Sequence, residues 1–335
     1  MPVNGTAPNS DAPAFLLFKL RHIGDVLLTT PSIRLLRQSF PKAHITMVVN
    51  KGTEDVLRHN PHLDRVLTVD RATGVAGQWR LLRALRQRRY VTSVDFASGD
   101  RAAWLAFLSG VPRRIALGSP EGARRLLNNT PLPVPNPPFH IVEMYLSLVE
   151  RGLALHTTNR SLELPIGKDD AKKASALLQE PGIGGRFIAL HVGARSNAAY
   201  RWPREHWAQF AQSVKQIHGL TPVFIGGSDC QDDVNWIVSQ PGLQAVSLVG
   251  RTSVLELAAV LKRAAGFVGI ASGPMHMAAA VDTPVVCLFV DDIAWRPWGE
   301  GHVVLRVARE ALERPVDVPE VVGALANLPC RRAGS

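Results

Sequence analysis

The chain has 335 residues, 46% of them apolar and 20% charged, with a formal net charge of +10. That composition excludes a disordered chain and allows a sizeable core, and the length points to two domains rather than one. Three cysteines, Cys230, Cys287 and Cys330, are too few and too far apart for a disulfide framework or a metal knuckle, and they favour a reducing compartment.

Residues 1–14, MPVNGTAPNSDAPA, read as a disordered tail, without the basic start and apolar stretch of a signal peptide. The first strand is FLLFKL (15–20). HITMVV (44–49), RVLTV (65–69), SVDFA (93–97) and RRIAL (113–117) follow it, with amphipathic segments such as WRLLRALRQRR between them. A helix is expected from His140 to Leu153, and the polar, turn-rich LHTTNRSLELPIGKDD then closes the series. A second series consists of RFIALHV (186–192), PVFIGG (222–227), AVSLVG (245–250), GFVGIA (266–271) and PVVCLFV (284–290). Its helices include HWAQFAQSVKQIH and VLELAAVLKRAA.

Strands apolar on both faces, alternating with helices, predict a parallel sheet covered by helices, and the pattern occurs twice. The expected fold is α/β, with two Rossmann-like doubly wound domains, 15–160 and 161–335, facing a central cleft. Ligands of such sheets bind beyond the carboxyl ends of the strands, so the turns after each strand should converge on that cleft.

No run approaches the roughly 18 apolar residues of a transmembrane segment, and a cytoplasmic protein is expected. The positive charge calls for an anionic partner. Arginines gather at Arg80, Arg83, Arg86, Arg88 and Arg89 and again at Arg113, Arg114, Arg124 and Arg125. A solvated basic face explains any one of them. The clusters lack interleaved aromatics of the kind that single-strand binders use, so nucleic acid is not the expected partner.

Neither G-x-G-x-x-G nor G-x-x-x-x-G-K-[ST] occurs, and there is no Asp-x-Asp, H-E-x-x-H or C-x-x-C, so no metal site is expected. Gly24 and Asp25 stand at the corner between the first strand and a helix. Asp25 is chemically suited to cap that helix. Thr30-Pro31 offers the helix an independent start, however, which leaves Asp25 over the cleft as a carboxylate able to take a proton from a hydroxyl nucleophile. After the strand GFVGIA, Ser272 and Gly273 form a turn and Pro274 suits the first helical position. Ser272 is either a simple N-cap or part of a turn whose free backbone N–H groups hold a pyrophosphate. His276 is either a satisfied buried histidine or a ligand contact. The loop HVGARSNAAYRWPREHW carries Arg195, Ser196 and Arg201, suited to phosphate or sugar, or is a surface loop with a Trp-Pro helix entry.

With these residues in view, the chain resembles glycosyltransferase family 9, the ADP-heptose:lipopolysaccharide heptosyltransferases. The likeness lies in RHIGDVLLTTP, HIVEMYL, HVGARSNAAYRWPREHW, VGRTSVLELAAVLKRAAGFVGIASGPMHMAAA and TPVVCLFVDDIAWRPW. It covers nearly everything from Phe15 to about Arg306, and it is closest in look to the branch that adds the third, side-chain heptose. The resemblance implies a GT-B fold with an N-terminal acceptor domain and a C-terminal nucleotide-sugar domain, and inverting, metal-independent transfer. It implies ADP-heptose as donor and an anionic lipopolysaccharide core as acceptor at the inner face of the inner membrane. Asp25 would be the general base. Ser196, Arg201, Thr252, Ser272, Gly273, Met275 and His276 would contact the donor, and Lys19, Arg21 and His22 the acceptor. The family usually has a lysine where this chain has Tyr200, and an aspartate where it has Ala271. Those departures leave open altered donor recognition. A GT-B-like UDP-sugar epimerase and a non-catalytic nucleotide-sugar-binding homologue are the alternatives.

Overall fold

A computed structural model of the chain describes residues 12–97, 99–118, 124–136, 139–183, 185–193, 202–290, 292–307 and 316–329, with the side chains of residues 71, 124 and 125 excepted. The first series forms strands β1 (Ala14–Lys19), β2 (His44–Asn50), β3 (Arg65–Val69), β4 (Thr92–Asp95), β5 (Arg113–Leu117) and β6 (Thr130–Leu132). Between and after them run α1 (Ile23–Leu27), α2 (Thr30–Ser39), α3 (Gly74–Arg86), α4 (Asp100–Leu108), α5 (Arg124–Leu127) and α6 (Ile141–Leu153). The second series begins with α7 (Lys168–Gln179). It then contains β7 (Phe187–His191), α8 (Arg204–His218), β8 (Thr221–Phe224), α9 (Gln231–Val238), β9 (Val246–Ser247), α10 (Val254–Arg263), β10 (Phe267–Gly269), α11 (Gly273–Ala280), β11 (Val285–Val290), β12 (Val303–Val307) and α12 (Val318–Ala326).

The strand order is β3-β2-β1-β4-β5-β6 in the first sheet and β12-β11-β10-β7-β8-β9 in the second, with every pairing parallel. The two sheets therefore share one topology: the chain starts in the middle, winds to one edge, returns, and winds to the other. In each, the order reverses beside the first strand, between β1 and β4 and between β7 and β10. The crevice at such a reversal is where doubly wound sheets take ligands.

The apolar runs explain the layers. All six residues of β1 and all six of β11 are buried, as strands covered on both faces must be. Helices α3 and α4 cover the outer face of the first sheet, sending Leu81, Leu85, Ala102 and Leu105 against Leu16 and Phe18. On the inner side a single apolar cluster runs through both sheets and includes Leu17, Val26, Phe267 and Met275. Continuous packing of this kind fixes the sheets against each other.

Three differences from the sequence reading have local causes. The strand β1 begins at Ala14, inside the segment read as a tail, because the Pro13 carbonyl accepts from His44 N and the Ala14 carbonyl from Val91 N. Residues 1–11 of that tail lie outside the described residues. Strands β6 and β12 were not anticipated: β6 has only three residues and contains Pro131, which weakens any strand signal. Gly24 and Asp25 do not sit in a plain corner but inside the short helix α1, with Asp25 in its first turn.

Candidate functional site

At the reversal of the first sheet, Lys19 ends β1 and Asp95 ends β4. Lys19 is only 3% exposed, and its Nζ lies 3.1 Å from Asp25 Oδ1, with the Asp25 side chain 14% exposed. The same ammonium donates to the Phe96 carbonyl at 3.3 Å and to the Tyr145 hydroxyl of α6, above whose ring it stands 4.3 Å from the centroid. Burial pushes the Lys19 ammonium below its ordinary value, opposed by Asp25 and then Asp95. Burial also raises the Tyr145 phenol well above its usual value, with Asp25 reinforcing the shift, so Tyr145 stays protonated.

Asp25 does not serve as the cap of α2. That helix starts at Thr30 with Pro31 behind it, as the sequence suggested, and Thr30 Oγ1 instead accepts from Glu163 N at 3.1 Å. His22 is the N-cap residue of α1 and caps nothing through its side chain. Arg21 and His22 are exposed, and Arg21 lines a depression of about 430 Å³ with Leu20, Asn50, Ala97, Asp100 and Arg101. Lys19 was read as an acceptor contact beside them. It lies beneath Asp25 instead, because the last residue of β1 points into the protein and needs a counter-charge there.

At the reversal of the second sheet, Ser272 is the N-cap residue of α11, yet its hydroxyl does not cap the helix. It donates to the Ile270 carbonyl at 3.0 Å and stands 3.3 Å from His191 Nδ1 at the end of β7. The first N–H groups of α11 are thus left without a side-chain acceptor from Ser272, in the place where an anion would satisfy them. Gly273 opens α11, and the Met275 side chain is fully buried, so only its backbone can face a ligand. Thr252 is half-buried in the turn after β9, one residue ahead of Ser253, which caps α10 in a box with Glu256. Ser196, Tyr200, Arg201 and Asp291 lie outside the described residues. Asp292 accepts from Ala294 N at 2.9 Å as the cap of a short turn.

The two reversals meet. A Cβ placed on Gly24 would lie 2.9 Å from His276 Cδ2, and one on Gly273 would lie 2.8 Å from Ile23 Cγ2. Glycine at both positions is what lets α1 and α11 touch. His276 is 5% exposed and its Nδ1 has no hydrogen-bond partner among the described residues, so it is not a satisfied buried histidine. Burial, reinforced by His140, lowers its pKa to about 4. His140, Tyr145 and Asp95 were not singled out as site residues from the sequence, and His191 was expected only as one of the strand-end positions converging on the cleft. Tyr145 and His140 fall within HIVEMYL, and the strand-end positions of Asp95 and His191 were the available signal.

His140 ties the halves together nearby. Its Nδ1 accepts from Val142 N at 3.0 Å while the Glu143 carboxylate accepts from the His140 backbone N–H at 3.0 Å, a capping box for α6. Its Nε2 lies 2.8 Å from the Arg296 carbonyl, and its ring packs on Trp298 at 4.5 Å.

Two doubly wound parallel sheets with their ligand crevices turned toward one another define the GT-B class of fold. A model of glycosyltransferase family 9 (heptosyltransferase) matches residues 78–317. The chain is similar to lipopolysaccharide heptosyltransferase 3 of Escherichia coli K12, 28% identical over 301 residues that make up 85% of each chain. It superposes on the glycosyl transferase family 9 structure from Veillonella parvula DSM 2008 with a TM-score of 0.85, at 23% identity over 94% of this chain and 97% of that one. For the Escherichia coli ADP-heptose lps heptosyltransferase II the TM-score is 0.77, at 20% identity over 93% and 97%. The chain belongs to glycosyltransferase family 9 and is a glycosyltransferase.

Proposed function

We propose that this glycosyltransferase moves heptose from ADP-heptose to a hydroxyl of the lipopolysaccharide inner core, with inversion and without a metal ion. The single observation that carries the mechanism is the meeting of α1 and α11, which brings the Asp25 carboxylate and the uncapped start of α11 to one place. An acceptor hydroxyl entering from the side of Arg21 and His22 gives its proton to Asp25 as its oxygen attacks the anomeric carbon. The bond from that carbon to the diphosphate breaks on the opposite side, and ADP leaves with the electron pair. The N–H groups from Gly273 to Met275 and the helix dipole stabilise the departing charge, with Ser196, Arg201 and Thr252 as further donor contacts.

In this reading residues 15–160 serve the acceptor and 161–335 the donor. Lys19 positions Asp25 rather than touching the acceptor, and the His276 ring packs behind the turn. Similarity to enzymes named for ADP-heptose and lipopolysaccharide supports the choice of donor and acceptor. On this reading the acceptor is lipid-borne and the enzyme works as a peripheral protein at the inner face of the inner membrane. Among the described residues no helix is long and apolar enough to cross a membrane.

The test is incubation of the purified chain with ADP-heptose and a core acceptor lacking its last heptose. Released ADP should equal transferred heptose, the new linkage should have the inverted anomeric configuration, and EDTA should leave the rate unchanged. Retention of configuration, or strict dependence on a divalent ion, contradicts this mechanism. Interconversion of a UDP-sugar without transfer would favour the epimerase alternative.

A further inference from the structure

Helices α3 and α4 bury one side each against the first sheet, yet their other sides are apolar as well. Val75 is 74% exposed, Trp79 63% and Trp104 46%, and Phe107 and Leu108 also stand in solvent. Val75, Trp79, Leu82 and Arg86 follow the i, i+4, i+7, i+11 spacing of one helix stripe, and Arg101, Trp104 and Leu108 follow i, i+3, i+7. The stripes meet in an open groove of about 600 Å³, and Arg86 Nε donates to the Leu108 carbonyl at 2.8 Å, joining the helices at one end. Two tryptophans exposed in one groove are not the scattered single apolar residues that any surface carries.

Charge selects the occupant. Between residues 71 and 94 stand Arg71, Arg80, Arg83, Arg86, Arg88 and Arg89, and no acidic residue. Arg80, Arg83, Arg86, Arg88 and Arg89 are exposed, as is Arg101 on α4. Indole rings beside guanidinium groups match a bilayer interface, where the ring sits at headgroup depth and the cation meets lipid phosphate.

We propose that the α3–α4 face docks on an anionic membrane surface, with Trp79 and Trp104 entering the headgroup layer and the surrounding arginines contacting lipid phosphates. Arg101 lines both this groove and the depression beside Arg21, so docking sets the acceptor side of the cleft next to the bilayer. The proposal deepens the reading of a lipid-borne acceptor and rests on it for its purpose, whereas the binding itself can be measured without donor or acceptor.

The test is flotation of the full chain with vesicles of phosphatidylglycerol and phosphatidylcholine in equal parts, against phosphatidylcholine alone. The chain should float with the anionic vesicles only. Trp79→Ser combined with Trp104→Ser should cut the bound fraction about tenfold or more. Arg80→Gln and Arg83→Gln, flanking Trp79, should each weaken binding by roughly fivefold. Melting temperatures should be unchanged, since these side chains are exposed. Failure of the parent chain to float, equal flotation with neutral vesicles, or full binding by the tryptophan pair overturns the proposal. So does a dimer that the same pair abolishes without any lipid binding, which would make a second copy the occupant. Transfer to a soluble, deacylated core acceptor should survive the tryptophan pair. If that transfer is absent from the parent chain as well, the proposed function fails and the docking result stands by itself.

Discussion

Lys19 Nζ and Asp25 Oδ1 lie 3.1 Å apart, the lysine from the last residue of β1 and the aspartate from the first turn of α1. The pair joins strand to helix across the corner. Lys19 is itself held by the Phe96 carbonyl and the Tyr145 hydroxyl, so the carboxylate rests on β1, β4 and α6 at once. Support of that kind is what a group needs if it must meet a substrate hydroxyl within a few tenths of an ångström.

Asp25→Asn should abolish most transfer while leaving ADP binding intact. Loss of a general base costs about 10²- to 10⁴-fold in rate. The amide keeps the shape and can still accept from Lys19, so ADP affinity should stay close to that of the parent, while the lost counter-charge of the buried Lys19 should lower the melting temperature. Calorimetric ADP titration alongside turnover checks this, and near-parental turnover would demote Asp25 to a structural partner of Lys19.

Lys19→Met should lower turnover by about 10-fold or more through loss of positioning, while ADP binding is kept. Removing one member of a buried pair leaves the other uncompensated, a cost of about 3 kcal/mol for well-buried partners. The combined Lys19→Met and Asp25→Asn variant should therefore be more stable than the sum of the single losses. Additive losses in urea unfolding would mean that the two side chains do not interact in solution.

Gly24→Ala should reduce turnover more than stability. The added methyl meets His276 Cδ2 at 2.9 Å and forces α1 away from α11, an overpacking cost of about 1–3 kcal/mol that the better helix propensity of alanine partly offsets. Gly273→Ala should act in the same direction through Ile23. Gly323→Ala is the control: it is exposed within α12 with nothing near its added methyl, and it should gain about 0.5–1 kcal/mol with turnover unchanged. Equal behaviour of Gly24→Ala and Gly323→Ala would show that the helix contact is loose.

Stability should fall as the solution is acidified below about pH 6.5. Burial lowers His140, His191 and His276 from 6.5 to about 4. Between those limits the unfolded chain binds protons that the folded chain does not, so acid favours unfolding, and the stability present above 6.5 is lost as pH approaches 4. Each histidine accounts for about 3 kcal/mol over that range. Urea midpoints at pH 5 and pH 7 measure the effect, and His276→Gln should flatten the dependence. Identical midpoints would mean that these rings are not buried as described.

Ala271→Asp should sharpen donor choice. Ala271 directly precedes Ser272 at the start of α11, and a carboxylate there can accept hydrogen bonds from sugar hydroxyls. The variant should tighten ADP-heptose more than ADP. Equal gains for both would assign the position to the nucleotide.

Much of the architecture was legible because it is written in hydrophobic runs. FLLFKL and PVVCLFV are apolar on both faces, as covered strands are, and their alternation with helical segments pointed to a parallel sheet. Short elements escaped because periodicity needs residues to display itself: α1 has five, and β6 has three with Pro131 among them. Within the site, the order of residues marked the corner at Gly24-Asp25 and the turn at Ser272-Gly273. Long-range partners were not legible. Nothing in the spacing tells that Lys19 turns inward to Asp25, or that Tyr145, 126 positions later, waits for its ammonium. Nor does it tell that the Ser272 hydroxyl prefers Ile270 and His191 to its own helix.

The two ring nitrogens of His140 cannot exchange duties. Nδ1 accepts from Val142 N, so the ring's one proton sits on Nε2 and is donated to the Arg296 carbonyl. Only this tautomer serves both partners. A second proton would have to go on Nδ1, against an N–H that already points there, and it would cost the cap of α6. The ring that starts α6 in the first half and grips Arg296 and Trp298 in the second is thus a single-proton clasp. Acid that opens it loosens the helix carrying Tyr145 and the seam between the sheets in one event.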